Sequence, residues 1–100
     1  LEFIRNCVIR RKVFWTYPVN MRLKGRFISR HAIIDSHDQH EIMEQYQEDK
    51  YLPSYLVRSE YKADILHILF AADLKADNVG IITAYRPSQE AWEDGFQIRR

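Results

Sequence analysis

The sequence predicts an α+β fold: two short helices packed on a four-stranded antiparallel meander sheet, with an extra N-terminal strand as an open addition. Three observations predict it. Apolar and basic residues recur at helical spacing over Val19, Arg22, Leu23 and Arg26, behind an N-cap candidate at Thr16. From Glu41 onward the chain changes to runs rich in β-branched and aromatic residues. Compact turn signals separate those runs, at Lys62-Ala63-Asp64 and at Asp73–Asn78.

The elements can be taken in chain order. Val8–Trp15 is β-branched and aromatic, so Lys12–Trp15 reads as a candidate first strand. Thr16 caps a helix whose first turn holds Pro18, where the missing N–H costs little, and Gly25 is the expected stop. Ser29 caps a second short helix through His31–Asp35, which the polar stretch Ser36–His40 ends. Glu41–Tyr46 is the next strand and Gln47–Pro53 a loop. Tyr55–Tyr61 and Ile65–Ala72 form a hairpin about Ala63, with Ser59 opposite His67 and Val57 opposite Leu69. Val79–Arg86 is the most β-branched strand, closed by Pro87. Ser88 is expected to cap a final helix that packs Trp92 and Phe96 on the domain.

Composition bounds the class. The 100 residues, 46% hydrophobic and 29% charged, fit a single domain over 1–100 with its core at about 12–96. No apolar run approaches the roughly 20 residues of a membrane span, and no secretory signal is visible. A lone Cys7 excludes an internal disulfide and a cysteine-based zinc site, and is compatible with a cytoplasmic location. The near-neutral total of +1 hides a polarised chain. Residues 1–30 carry eight basic side chains against Glu2 alone, whereas residues 31–64 are net acidic. If that separation survives folding, the first third offers a surface for a polyanion or an acidic partner.

The run Met21-Arg22-Leu23-Lys24-Gly25-Arg26-Phe27-Ile28-Ser29 carries an Arg-x3-Arg-x-Ile-Ser pattern. It is joined by Glu44-Gln45-Tyr46, Pro53-Ser54-Tyr55-Leu56-Val57, Leu66-His67-Ile68 and Ile82-Thr83-Ala84-Tyr85-Arg86-Pro87. In that order, from about Lys12 to Phe96, the sequence resembles a family of small bacterial proteins of unknown function considered related to the RelE and BrnT ribonuclease toxins. The resemblance implies a RelE/BrnT-like fold and a cytoplasmic toxin of a toxin–antitoxin module. It also implies RNA as substrate and a small MqsA-like zinc-finger antitoxin as partner. One departure stands out: the family's His-x3-Arg-x3-Arg row begins here with Pro18, leaving Arg22 and Arg26 without an imidazole at its head. Two readings therefore stay open, an endoribonuclease and a non-catalytic protein- or RNA-binding module.

RNA cleavage without metal or cofactor needs a base for the ribose 2′-OH, cations for the phosphorane oxygens and an acid for the leaving oxygen. His67, which interrupts an apolar strand, with Arg86 or Tyr85 is the best sheet-borne pair; Arg22 and Arg26 are expected to approach from the helix. Pairing of Ala72 with Val79 would set His67 beside Ala84, and a one-residue slip would set it beside Thr83 or Tyr85. The competing assignments are a half-buried His67 bonded to its neighbours, and arginines neutralised by Glu41, Glu44 or Glu48. Lys12, Lys24 and Arg30 complete an RNA-binding set, and Tyr55 is placed to stack on a base. His37-x2-His40 lacks a third ligand, and there is no glycine-rich phosphate loop or nucleophile elbow. Oligomeric state stays open, with a homodimer through a sheet edge compatible with either reading.

Overall fold

The computed structural model describes residues 1–47, 52–87, 92–93 and 98–99. It is an α+β structure, in chain order α1 (Glu2–Ile9), β1 (Val13–Phe14), α2 (Tyr17–Gly25), α3 (Arg30–Asp35), a 3-10 turn (His37–Gln39), β2 (Glu41–Tyr46), β3 (Ser54–Tyr61), β4 (Asp64–Asp73) and β5 (Asn78–Tyr85). Two further short strands, β6 (Trp92–Glu93) and β7 (Ile98–Arg99), run antiparallel to each other.

The main sheet has the order β1-β5-β4-β3-β2. Strands β2 to β5 pair antiparallel with their sequence neighbours, and β1 joins β5 in parallel. The α+β class holds, and the additional N-terminal strand read at Lys12–Trp15 is present as β1; the rest of the expectation, two helices on a four-stranded antiparallel sheet, is corrected to three helices on a five-stranded mixed one. The extra helix is α1. Its Ile4, Cys7 and Val8 are buried at the i, i+3, i+4 spacing of one helix face. The β-branched run that begins at Val8 masked that spacing, because a short apolar stretch fits either period.

Caps explain the helix ends. Thr16 Oγ1 accepts from Val19 N–H at 3.3 Å, and Ser29 Oγ accepts from Ala32 N–H at 3.1 Å. α2 ends on Gly25, as expected, with Arg26 as its C-cap, and Phe27 beyond it takes the left-handed conformation at φ 56°. Ile28 N–H then bonds Leu23 O at 2.9 Å and Phe27 N–H bonds Lys24 O at 3.1 Å. That is a Schellman closure with phenylalanine where glycine is usual. α1 closes likewise on Arg11, at φ 62°, with Lys12 N–H on Cys7 O at 2.8 Å.

All three helices cover one face of the sheet. Ile4, Val8, Val19, Leu23 and Ile33 meet Val57, Ile68, Phe70, Val79 and Ile81 in one buried cluster. The β3–β4 turn is two residues, Lys62 and Ala63, both left-handed, so Tyr61 pairs with Asp64. This moves the hairpin one residue from the expected register: His67 faces Arg58, and Val57 faces Ile68. Ala72 does pair with Val79, but a bulge between Leu69 and Phe70 offsets the rest of the β4–β5 ladder by one residue, and His67 faces Tyr85. Of the expected C-terminal helix, Ser88 and Phe96 lie outside the described residues, and Trp92 begins a strand. Among the described residues, no helix is long and apolar enough to cross a membrane.

Candidate nucleic-acid interface

α2 buries Val19 and Leu23 and turns the rest of its circumference outward. Tyr17 is 75% exposed and Met21 49%, and Arg22, Lys24 and Arg26 are exposed beside them. At the end of the helix Phe27 is 88% exposed. Among the described residues none of these three cations makes a salt bridge, so the carboxylate pairing weighed for Arg22 and Arg26 is not formed there. Arg26 instead lies along β5, donating from Nη1 to Thr83 Oγ1 at 3.0 Å and to Ala84 O at 2.8 Å. β1 pairs only with Val79 and Gly80, so this stretch of β5 lies beyond it, and Arg26 supplies a donor there.

Arg86 is committed to a different task. Its Nε donates to both carboxylate oxygens of Asp64 at 3.1 and 3.0 Å, Nη1 to Arg26 O at 2.6 Å and Nη2 to Phe27 O at 3.1 Å. One guanidinium therefore satisfies two carbonyls at the C-terminus of α2 while paired with the β3–β4 turn. Beneath it is a pocket of about 320 Å³ with Ile28, Ala32 and Leu66 at its base and Phe27, Tyr61 and Lys62 around it.

His67 lies elsewhere. It is fully buried between Leu66 and Ile68, both of which point into the core cluster, so strand alternation sets its ring on the sheet face opposite the helices. Tyr85 meets it edge-on, ring centroids 5.5 Å apart. The structure thus brings His67, Tyr85, Thr83 and Arg26 into one row; Arg86 meets that row at Arg26 O and lines the helix-side pocket. Arg22 is exposed one helical turn before Arg26.

The remaining candidates divide. Lys24 is exposed, on a different side of α2 from Arg22. Lys12 shares Asp77 with Arg10, at 3.7 and 2.9 Å, and hydrogen bonds from Arg10 hold the Asp77 carboxyl below its ordinary range. Arg30 bonds Asn20 Oδ1 at 3.0 and 2.7 Å and stacks 4.9 Å from the Trp15 ring. Tyr55 packs against the core cluster and lines a small apolar cavity of about 70 Å³ with Phe3 and Pro53. Sequence reasoning missed Tyr17, Met21 and Phe27. Their exposure depends on which side of α2 meets the sheet, and apolar letters in a helical row read by default as core.

Among the described residues, no group of three His, Cys, Asp or Glu side chains is placed to hold a metal ion. His40 is fully buried, with Nε2 on Ile33 O at 3.2 Å and its ring 5.6 Å from Phe70. Burial lowers its pKa to about 4, so the ring is neutral near pH 7 and structural in role.

A family model described as a domain of unknown function, DUF4258, matches residues 15–86, a span running from just before the cap of α2 to Arg86. No curated protein and no solved structure matches the chain.

Proposed function

The chain belongs to the DUF4258 family of domains of unknown function, and we propose that it is an RNA-binding module whose interface is the outer face of α2 and the turn at its end. The observation that carries this reading is the exposure of Arg22, Lys24 and Arg26, without a carboxylate paired to them among the described residues, interleaved with exposed Tyr17, Met21 and Phe27. Cations along a groove or helix track a phosphate backbone, and aromatic rings beside them stack on unpaired bases. Double-stranded RNA hides its base faces, so the interleaving favours single strands.

The test is fluorescence anisotropy of labelled single-stranded RNA against rising salt. Three phosphate contacts predict a slope of log K on log salt of about −2 for a single strand. Replacing Arg22 and Lys24 with Ala reduces that slope and weakens binding across sequences. Wild-type protein that leaves RNA unbound at low salt would end this reading.

A second reading, an endoribonuclease of RelE/BrnT type, is favoured by two specific contacts. Tyr85 packs on His67, and the Arg26 guanidinium reaches the adjacent Thr83. In this reading the Tyr85 phenol acts on the ribose hydroxyl or the leaving oxygen and Arg26 meets the phosphorane charge. The zinc-finger antitoxin and a homodimer would be its partners. Expression in a bacterial host with mapping of transcript ends decides it: new ends that vanish with Tyr85→Phe support cleavage, and intact transcripts from folded protein exclude it.

A further inference from the structure

Among the described residues, Arg11, Phe27, Lys62, Ala63 and Asp77 have left-handed backbone although none is glycine. Three of them gather at one place. Phe27 and Lys62 line the 320 Å³ pocket, and Ala63 sits between Lys62 and the pocket residue Asp64. Left-handed backbone in a residue with a Cβ costs free energy and is tolerated where the surroundings enforce it, commonly at ligand sites.

Phe27 is unfavourable twice over. Glycine would close α2 with less strain, and a ring 88% exposed contributes little to the core. Arg86, through its bond to Phe27 O, holds that backbone in place. The ring is therefore presented to solvent from a fixed mount at the mouth of a pocket whose volume falls within the roughly 300–1,000 Å³ of ligand sites.

We propose that this pocket receives one unpaired RNA base, with Phe27 as the stacking platform. The proposal deepens the RNA-binding reading above and rests on it. The pocket's floor suits a base better than a phosphate: it is apolar, matching the flat face of a ring. Asp64, at its edge, has its charge met by the ion pair with Arg86, another lining residue, and the carboxylate lone pairs not taken by that guanidinium can accept from the amino group of a base. Lys62, its Nζ 5.3 Å from the Tyr61 centroid, stands at the rim where a flanking phosphate would pass. Arg22 and Arg26, four residues apart on one side of α2, continue the track.

The experiment compares the full chain with Phe27→Ala, Phe27→Trp and Phe27→Gly. Each is titrated with a short single-stranded RNA, its duplex, and a strand of the same length with abasic spacers. Stacking of one base predicts that Phe27→Ala weakens the single strand about 5- to 100-fold. Its salt slope and its affinity for duplex and abasic strand stay unchanged, and Phe27→Trp binds like wild type. Phe27→Gly, which relieves the left-handed backbone, binds as weakly as Phe27→Ala while unfolding at the same or higher urea concentration; this separates a binding role from a structural one. Unchanged single-strand affinity in Phe27→Ala, or equal losses on all three nucleic acids, would overturn the base pocket and leave the RNA-binding module standing. Wild-type protein with no affinity for any of the three would overturn both.

Discussion

At the scale of single residues, three side chains, His67, Arg86 and His40, have surroundings that the sequence only partly announces. His67 stands out in the sequence as a polar letter in an apolar strand, and it lies fully buried on the face away from the helices. The letter reveals a polar group in the sheet and not the face it occupies, since one residue of register exchanges the faces. Arg86 is legible as a cation at a strand end, but its partners, Asp64 and the carbonyls of Arg26 and Phe27, come from 22 to 60 residues away. Arg86→Ala leaves those carbonyls without a charged donor and is expected to cost about 1–2 kcal/mol in urea unfolding. Arg86→Lys should recover little of it, because an ammonium lacks the planar fork. His40 makes a prediction with a sign. Its folded pKa of about 4 lies below the ordinary 6.5, so the unfolded chain binds the proton first as pH falls. The protein is accordingly at full stability above pH 6.5 and loses about 3 kcal/mol between pH 6.5 and 4 through this group. In His40→Leu that part of the pH dependence should be missing when unfolding free energies at pH 7 and pH 4.5 are compared.

At the scale of elements, caps carry more information than composition. Thr16 and Ser29 mark the starts of α2 and α3 correctly because a side-chain oxygen three residues before a free N–H acts locally. Gly25 marks the end of α2 correctly, but the left-handed residue that closes the helix is Phe27, two positions on, because glycine permits that backbone without requiring it. The strand expectations locate β2 to β5, the Ala72–Val79 pair and, as one alternative, His67 beside Tyr85; they miss the β3–β4 register, and the choice between alternatives depends on a two-residue turn at Lys62-Ala63 and a bulge at Leu69/Phe70. Neither has the Asn-Gly signature that would announce it. Ala63→Gly, at φ 68°, should raise stability by up to about 1 kcal/mol without changing the hairpin register, measurable as a higher urea midpoint at constant slope. Substitution of Ile4 by Ala in α1 should cost about 2–5 kcal/mol, which would confirm that the element the sequence hid belongs to the core.

At the scale of the whole molecule, the charge asymmetry of the first 30 residues survives folding in part. Arg10 and Lys12 are answered by Asp77, and Arg30 is held by Asn20 and Trp15, whereas Arg22 and Lys24 stay on the surface. A count of charges along the chain therefore overstates the positive surface, and its useful part is the outer side of one helix. The α+β class, the two caps and the presence of cations in α2 were determined by the sequence alone, because each depends on neighbours within about four positions. Only the tertiary structure decided which side of α2 faces solvent, that Arg86 clamps the Phe27 turn and that His67 is sealed away from both. Those outcomes depend on contacts between residues tens of positions apart, where a turn one residue shorter or a single bulge changes the partner and no local pattern records the choice.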